Sequence, residues 1–328
     1  MKKILVLAPT PSDATSFWRA FGPFSQIKDP RFQIDFNYMD QIDWAVQAPH
    51  DIVFAQRFFT RQHQNVLEFA KSFNKKIWLD YDDLVTALPR SNPAYKTYEN
   101  DESKQALGKI LRLADVITVS TEDIKEHFKA LTQAPIKVVP NAWPDHLLPF
   151  NPKPFKKHKR IFWRGGPTHF EDLWNIKEEL KQLASDLPDY QFLFVGHMPY
   201  FIPEVIPKEQ VGYIDNLGIV KFYNVLRAME ADLAIVPLND SPFNRCKSAI
   251  GWLEATFAGA ATVAPDFREW QNMAISRYKS GVAGDFRNVV LQTLEEAKGH
   301  YELSCKLIKK SFLLSEVNKF RVELLKTL

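Results

Sequence analysis

The sequence is poor in cysteine, because its 328 residues include just two, Cys246 and Cys305. Two widely spaced thiols do not form the disulfide framework of a small secreted protein, so we expect a reducing, cytoplasmic location. No apolar run approaches the ~20 residues that a transmembrane helix requires. The apolar run at 4–8 is too short for the hydrophobic part of a secretory signal, and it predicts a buried first strand instead.

A large excess of charge, internal repeats and low-complexity tracts are also missing. The chain carries 42 Lys and Arg against 39 Asp and Glu, a formal net charge of +3. That balance permits an anionic partner but does not by itself indicate a nucleic-acid-binding protein. With 45% apolar and 25% charged residues the composition is that of a soluble globular protein, and the length suits two domains.

Short apolar strands alternate with amphipathic helices along the chain. This alternation predicts an α/β protein whose parallel sheets are covered by helices on both faces. We predict strands at 3–8, 33–38, 52–56, 76–80, 116–120, 137–140, 160–163, 191–196, 233–237 and 261–264, with helices that include 248–258 and 267–279. The predicted fold is two Rossmann-like, doubly wound domains that face a cleft, with boundaries at 1–148 (N-terminal domain), 149–159 (proline-rich linker), 160–312 (second domain) and 313–328 (a C-terminal helix that packs back on the first domain).

The segment 237–254 carries the most chemical information. An apolar strand ends there in a polar loop that contains Asn244, and a helix follows. Glu254 follows Lys247 by seven residues, which would place both on nearly the same helix face, about 10 Å apart along the axis. A cation at the helix start and a carboxylate two turns later would suit the diphosphate and ribose of a nucleotide, with Ser248 and the free N–H groups of the first turn assisting.

The segment 162–173 combines a strand end, two glycines and a predicted helix start. Gly165 and Gly166 allow a tight turn and a close approach of the backbone to a ligand. Thr168 and Glu171 have the spacing of a capping box, which predicts that a helix begins there. Together these features suggest a phosphate cradle, with Arg164 as a bidentate clamp.

Three carboxylates, Asp80, Asp82 and Asp83, follow the fourth predicted strand. They could bind a divalent metal, as the Asp-x-Asp of GT-A transferases does, or supply a general base. They could equally be helix caps without a chemical role. The residues themselves leave these alternatives open.

These segments resemble those of GT-B glycosyltransferases, in particular bacterial and phage members of the retaining, glycogen-synthase-like clan. That group reads Pl.d..fN..KS..k.lE where this chain has 237–254, and W.Gs.tH..Dl where it has 163–173. It also has an acidic D.DDl at 80–84 and a qR at 56–57. The matches occur in the same order along most of the chain.

The resemblance implies a role for each candidate residue. The donor-binding residues would be Arg164, Gly165, Gly166, Asn244, Lys247, Ser248 and Glu254, with Arg164 and Lys247 on the phosphates and Glu254 on the ribose. The catalytic candidates are Asp82, Asp83 and His169. The acceptor-side candidates are Asp13, Ser16 and Arg19, in and after the loop that follows the first strand, and Arg57 after the third. Ser12 or Asp13 could equally be a helix cap.

Two positions depart from the group. Many retaining members have Glu-x7-Glu in the donor segment, and the first of these positions falls on Cys246 here. Because that glutamate usually addresses the sugar, the donor sugar is left open. Gly251 stands where the group often has lysine. The chain also lacks the lone histidine that many members place after the fourth strand.

The resemblance therefore implies an enzyme that transfers a sugar from a nucleotide diphosphate sugar, most simply a UDP-sugar, to a hydroxyl acceptor. We expect retention of configuration, no obligatory cofactor and no metal. The acceptor would be a surface glycan or a hydroxymethylated pyrimidine in phage DNA, and the protein a monomer or homodimer. The alternatives are a nucleotide-sugar epimerase, a metal-dependent transferase that uses Asp80 and Asp82, and a non-catalytic nucleic-acid-binding protein.

Overall fold

The computed structural model describes residues 1–10, 14–38, 49–92 and 94–328. The chain forms two compact units, each built around a six-stranded parallel sheet. Unit 1 comprises Met1–Pro149, Cys246–Ser248 and Ser311–Leu328, and unit 2 comprises Phe150–Arg245 and Ala249–Lys310. Two Rossmann-like α/β units were predicted from the sequence, and this fold class is confirmed.

The sheet of unit 1 has the spatial order β2-β1-β3-β4-β5-β6. The strand order reverses between β1 and β3: β1 and β2 lie on one side of this point, and β3 to β6 lie on the other. Ligands of doubly wound sheets bind at such a point, beyond the carboxyl ends of the strands. The strands are β1 (Lys2–Ala8), β2 (Phe32–Tyr38), β3 (Ile52–Gln56), β4 (Lys76–Tyr81), β5 (Val116–Val119) and β6 (Ile136–Val138).

The core of unit 1 lies on both faces of this sheet. Every residue of β3 and β5 is buried, as expected for apolar strands covered by helices on both sides. Trp78 of β4 is fully buried against the rings of Phe24 and Phe54, and its indole N–H donates to Thr118 Oγ1 at 2.8 Å. The large aromatic side chain thus fills the core while its one polar atom remains paired.

The helices of unit 1 include a terminal one contributed by the end of the chain. Asn318 in that helix donates to the carbonyl oxygen of Pro23 at 2.8 Å. The helices are Ala14–Ser16, Gly22–Gln26, Arg61–Ser72, Tyr95–Tyr98, Asp101–Leu113, Glu122–Lys129 and Leu314–Thr327, and the π-helical turn Phe17–Phe21 joins the first two.

The sheet of unit 2 has the order β12-β11-β10-β7-β8-β9, which is the dinucleotide-binding arrangement of six parallel strands. The strand order reverses between β7 and β10. The strands are β7 (Arg160–Gly165), β8 (Gln191–Gly196), β9 (Val211–Asp215), β10 (Leu233–Ile235), β11 (Ala261–Pro265) and β12 (Ser276–Tyr278).

Helices cover both faces of this second sheet. They are Phe170–Asn175, Lys177–Asp186, Ile202–Val205, Ile219–Ala228, Pro242–Arg245, Ile250–Ala258 and Asp285–Leu307, with 3-10 turns at Pro167–His169, Lys208–Gln210 and Arg268–Trp270, and the π-helical turn Ile308–Phe312 follows the longest helix. Among the helices of the described residues, none combines the length and apolarity needed to cross a bilayer.

Both edge strands of unit 2 were missed in the sequence. β9 contains Gly212 and is partly exposed along its length, so it lacks the continuous apolar run of a central strand. The predicted helix at 267–279 is wrong, since a 3-10 turn and the three-residue strand β12 occupy that segment. An edge strand pairs on one side, so its sequence is under a weaker apolar constraint.

Candidate functional site

Polar side chains gather at the strand-order reversal of unit 2, on the segments that follow β7 and β10. β7 ends at Gly165, and the 3-10 turn Pro167–His169 follows. After β10 comes an irregular loop that leads, through the short helix Pro242–Arg245, to the helix Ile250–Ala258. Because both segments lie at the carboxyl ends of adjacent parallel strands, their side chains form the candidate binding site of this unit.

An ion pair joins the end of β7 to the helix Ile250–Ala258. Arg164 Nε lies 2.5 Å from Glu254 Oε2, and the hydroxyl of Tyr223 donates to Glu254 Oε1 at 3.1 Å. The side chain of Glu254 is 5% exposed, whereas that of Arg164 is 32% exposed. Burial raises the pKa of the Glu254 carboxyl, and both Arg164 and the Tyr223 hydroxyl oppose that shift.

Arg164 retains free donor capacity in this arrangement. Within the described ranges, neither terminal nitrogen of its guanidinium has a hydrogen-bond partner. A guanidinium held at Nε and open at both Nη atoms can donate two parallel hydrogen bonds to a phosphate. Arg164 and Glu254, predicted as donor-binding residues, are therefore brought together by the structure.

Gly251 explains how the helix approaches Arg164 so closely. A Cβ atom at this position would lie 3.1 Å from Val236 Cγ2 and 3.9 Å from Arg164 Nη2. The space that a side chain would occupy is thus shared by a neighbouring valine and the guanidinium. A side chain here, such as the lysine that the resembled group often has, would require Val236 to shift by a few tenths of an ångström.

The two glycines after β7 differ in importance. A Cβ atom on Gly165 would lie 2.5 Å from the Trp163 ring, so glycine is required for that ring to fold over the backbone. Gly166 has an extended backbone and open space around it. The predicted capping box of Thr168 and Glu171 is wrong, because the 3-10 turn leads directly into the helix and no side chain caps either start.

His169, the last residue of the 3-10 turn, forms a hydrogen-bonded pair with Asp172 in the first turn of the following helix. Nδ1 of His169 lies 2.8 Å from Asp172 Oδ2. The other carboxylate oxygen of Asp172 accepts from the backbone N–H of Asn239 at 2.9 Å and from Asn244 Nδ2 at 2.8 Å. The buried Asp172 therefore links the segment after β7 to the loop after β10.

Lys247 lies elsewhere than predicted. The helix begins at Ile250, so Lys247 precedes it and does not share a helix face with Glu254. Residues Cys246–Ser248 belong to unit 1, where Lys247 Nζ lies 2.9 Å from Asp83 Oδ1. The predicted placement on a common helix face is wrong, because the polar loop extends two residues beyond the predicted helix start at 248.

Four candidate residues form a charged network in unit 1: Arg57, Asp82, Asp83 and Lys247. Arg57 Nε donates to Asp82 Oδ1 at 2.5 Å, and its Nη2 donates to Asp82 Oδ2 at 2.9 Å and to Asp83 Oδ2 at 2.7 Å. The two cations and two carboxylates alternate, so each charge has an opposite neighbour. The structure thus joins an acceptor-side prediction, two catalytic predictions and a donor-site prediction in one cluster.

Electrostatics and backbone geometry mark this network as unusual. Arg57 has a φ of 56°, the left-handed region that a residue with a side chain adopts rarely and at a cost of order 1–3 kcal/mol. Burial alone would lower the pKa of its guanidinium, but Asp82 and Asp83 outweigh burial and the pKa is raised. Burial and the charge of Asp83 raise the pKa of the Asp82 carboxyl, and Arg57 opposes them.

Arg19 is a core residue and has no surface for an acceptor. Its guanidinium is fully buried and donates from Nε and Nη2 to Asp80 at 2.9 and 2.7 Å. Nη1 donates to the carbonyl of Val139 at 2.7 Å and to Asn141 Oδ1 at 3.1 Å. Its assignment to the acceptor side is corrected accordingly: Arg19 holds strand ends of unit 1 together.

The other described residues that the sequence singled out lie outside both the Arg164–Glu254 pair and the charged network of unit 1. Ser16 is buried, and Asp13 lies outside the described residues. Ser248 Oγ accepts from Asn141 Nδ2 at 2.8 Å within unit 1. The thiol of Cys246 is buried, and burial raises its pKa to about 12, so this position offers no reactive thiolate at neutral pH.

Asp172, Asn239 and Tyr223 contact candidate residues, and these contacts were not predicted. Asp172 was matched to the resembled pattern without a role, although a spacing of three residues from His169 is short enough for the two side chains to meet across one helical turn. Tyr223 gave no signal, because an aromatic residue in an amphipathic helix most often serves the core.

Solved structures of similar fold were found, although no protein-family model and no curated protein matches the sequence. Sucrose-phosphate synthase from Thermosynechococcus elongatus is 11% identical with a TM-score of 0.71, over 100% of this chain and 99% of that one. A glycosyltransferase from Rickettsia africae is 14% identical with a TM-score of 0.69, over 99% and 98%. A protein described as a UDP-N-acetylglucosamine 2-epimerase, from Listeria monocytogenes, is 15% identical with a TM-score of 0.63, over 100% and 96%.

These three likenesses extend over nearly the whole length of this chain and of the three structures. At such low identity they show the fold, which is the GT-B arrangement of two Rossmann-like units. The expected fold class is thereby confirmed by comparison as well as by the sheet topology.

Proposed function

We propose that the protein is a glycosyltransferase that transfers a sugar from a nucleoside diphosphate sugar, a UDP-sugar in the first instance, to a hydroxyl group. The observation that carries this proposal is the Arg164–Glu254 pair at the strand-order reversal of unit 2. It places one open cation and one buried carboxylate where doubly wound sheets bind nucleotides.

Each member of the pair suits a different part of the donor. The open Nη atoms of Arg164 would donate to diphosphate oxygens, and the Glu254 carboxylate would accept from the ribose hydroxyls. The hydroxyl of Tyr223 keeps Glu254 oriented through its own hydrogen bond. Charge accumulates on the diphosphate as the glycosidic bond breaks, so a preorganised guanidinium stabilises the leaving group.

The charged network of unit 1 supports a second part of the proposal. Asp82 has a raised pKa, and Asp83 and Lys247 lie at the more exposed side of the network. We assign Asp82 and Asp83 to the acceptor hydroxyl, and Lys247 and Ser248 remain candidate phosphate-binding residues of unit 1. A phosphate at Lys247 would have to share its ammonium group with Asp83, which already lies within 2.9 Å.

The acceptor in this proposal is a glycan, and the reaction proceeds with retention of configuration. A modified DNA acceptor would need a basic surface for phosphates. Two cations where the predicted linker meets β7 are already engaged in unit 2: Lys159 Nζ lies 3.0 Å from Asp189, and Arg160 donates to Met229 and Gln191. A transfer assay with hydroxymethylated DNA beside a glycan acceptor distinguishes the two acceptors.

An epimerase is the second candidate, because the Listeria protein shares the fold over the full chain. An epimerase converts a free sugar nucleotide without an acceptor, whereas a transferase releases the nucleotide when the acceptor is present. Incubation of a UDP-sugar with and without acceptor, followed by separation of nucleotides and sugars, distinguishes the two.

A metal site on Asp80 and Asp82 is not favoured by the contacts of these residues. Both oxygens of Asp80 are held by Arg19, and both oxygens of Asp82 are held by Arg57. A divalent cation would have to displace an arginine from each carboxylate.

A panel of nucleotide sugars tests the proposal by thermal shift and by transfer assay. A nucleotide that binds the folded protein alone, at a free concentration 100-fold above its Kd, raises the free energy of unfolding by about 2.7 kcal/mol. We expect a UDP-sugar to raise Tm and to support transfer. Absence of stabilisation by every nucleotide sugar at saturating concentration would refute the proposal.

A further inference from the structure

Asp172 is the common partner of both segments that flank the strand-order reversal of unit 2. Its side chain is buried, and it forms three hydrogen bonds of 2.8–2.9 Å with His169, Asn239 and Asn244. The two carboxylate oxygens have different partners: Oδ2 pairs with the histidine, and Oδ1 accepts from the loop that follows β10.

This division bears on which ring nitrogen of His169 carries the proton of the shared hydrogen bond. An ionised carboxylate can accept hydrogen bonds and cannot donate them, so opposite an ionised Asp172 this proton resides on Nδ1 of the histidine. In the neutral ring Nε2 then carries a lone pair. In the described part of the chain Nε2 has no hydrogen-bond partner, and the side chain is 24% exposed. A hydroxyl group of a ligand can therefore reach this nitrogen.

The surroundings of the ring limit its movement. The Trp163 ring meets the imidazole edge to face, with centroids 6.4 Å apart at an angle of 79°. His169 follows β7, the strand that carries Arg164. Packing on one side and the carboxylate on the other hold Nε2 in one direction, as second partners do for histidine ligands of metals.

We infer that Asp172 is a positioning residue: it fixes His169 as the Nδ1–H tautomer, so that Nε2 accepts a hydrogen bond from a hydroxyl group of the sugar substrate. This inference rests on the proposed function for the identity of the substrate. Asp172 itself would touch no substrate, and the same carboxylate would hold the loop of Asn239 and Asn244 in place.

The geometry allows these two tasks to be separated. In D172N the remaining carbonyl oxygen still accepts from Asn239 N and Asn244 Nδ2, because turning the amide around would oppose donors to donors. The new amide N–H₂ then faces Nδ1 of His169 and donates to it, which moves the ring proton to Nε2. D172A removes both the histidine pair and the loop contacts. N244A removes one loop contact and leaves the histidine pair intact.

The experiment uses the full chain, free of ligand, with ¹⁵N-labelled histidine, and reads the tautomer of His169 by NMR at a pH raised until the ring is neutral. A H169Q variant assigns the signal. We expect the Nδ1–H form in the wild type and in N244A, and the Nε2–H form in D172N. The Nε2–H form in the wild type would overturn the inference.

Kinetics with the sugar nucleotide provide the second measurement. We expect kcat of D172N to fall about 10- to 100-fold, the range seen when such supporting partners are removed. The affinity of D172N for UDP alone should stay within about twofold of the wild type, because the loop contacts are retained. An inverted tautomer with unchanged kcat and KM would overturn the role of His169 and Asp172.

Failure of the proposed function gives a different result from failure of this inference. If the wild type binds no nucleotide and transfers no sugar, the proposed function fails, and with it the sugar hydroxyl as the partner of Nε2. The tautomer measurement needs no substrate, so it decides the positioning of His169 by Asp172 in either case.

Discussion

Arg164 Nε lies 2.5 Å from Glu254 Oε2, and the two residues differ sixfold in exposure, at 32% and 5%. The pair is therefore a buried carboxylate held by a partly solvated cation. Such a pair has limited worth as a source of stability, because the desolvation of the carboxylate offsets much of the attraction. We therefore interpret the pair, which lies at the strand-order reversal of unit 2, as part of the proposed nucleotide site.

Removal of the cation should destabilise the protein in a pH-dependent way. R164A leaves Glu254 buried without its partner, and we expect a loss of about 1–2 kcal/mol at pH 8, less than for a fully buried pair because Arg164 is partly exposed. Burial already raises the pKa of Glu254, and without Arg164 the pKa rises further. Urea unfolding of wild type and R164A at several pH values measures the difference.

The sign of the pH effect follows from proton binding. A carboxyl with a raised pKa in the folded state binds more protons there than in the unfolded chain, so it favours folding at low pH and loses that effect as pH rises. The destabilisation by R164A should therefore be smaller at pH 5 than at pH 8. An equal or larger loss at pH 5 would contradict the buried, paired state of Glu254.

Gly251 and Gly299 form a matched pair for testing the close packing near Arg164. Gly251 lies in the first turn of the helix Ile250–Ala258, and Gly299 lies inside the helix Asp285–Leu307. A Cβ atom at 251 would lie 3.1 Å from Val236, whereas at 299 nothing lies within 4 Å. Alanine is favoured over glycine in a helix by about 0.8–1.0 kcal/mol. We expect G299A to gain most of that amount, and G251A to gain less or to lose stability.

The same two variants also report on the site. G251A should weaken nucleotide binding, because the added methyl group presses on Val236 and approaches Arg164 Nη2. G299A should bind as the wild type does. Equal gains in stability and unchanged binding for both variants would mean that the space beside Arg164 is not constrained.

Asp82 and Asp83 should differ in their contribution to stability. Asp82 shares two hydrogen bonds with Arg57 and is 8% exposed, whereas Asp83 is 24% exposed. We expect D82N to cost about 2–3 kcal/mol and D83N about 1 kcal/mol or less. Chemical denaturation of the two variants measures this order, and a larger loss for D83N would contradict the described network.

Arg19 shows where reasoning from the sequence reached its limit. A charged residue just after the first strand suggests a solvated or ligand-facing side chain, since arginine is rarely fully buried. Its partner Asp80 lies 61 residues away, so the pair becomes visible only in the tertiary structure. We expect R19M to be strongly destabilised, by about 3–5 kcal/mol, because Asp80 would be left buried without its cation. Thermal unfolding tests this prediction. A stable R19M variant would contradict the structural role of Arg19.

The central strands were predictable for a physical reason. Strands covered on both faces form nearly continuous apolar runs, and β3 and β8 coincide with the predicted ranges 52–56 and 191–196. Edge strands such as β12 escape that constraint. Local sequence therefore indicated both sheets, including the edge strands β2 and β6 of unit 1, and it missed the edge strands β9 and β12 of unit 2.

The candidate site was predictable as far as single segments allow. The strand end at Arg164 and the carboxylate Glu254 were identified because each lies in a short pattern with a chemical meaning. The location of Lys247 was not, because it depends on contacts with Asp83, and neighbouring Ser248 depends on Asn141, more than 100 residues away in each case. Spacing within a predicted helix says nothing about such partners.

The most direct test of the account is isothermal titration of UDP into the wild type, R164A, E254A and the control K298A, whose lysine is exposed on the helix Asp285–Leu307. Urea unfolding first confirms that each variant is folded at the working temperature. The account predicts that the wild type and K298A bind with the same Kd, and that R164A and E254A bind at least tenfold more weakly. Binding of UDP to all four proteins with equal affinity, or to none at saturating concentration, would contradict it.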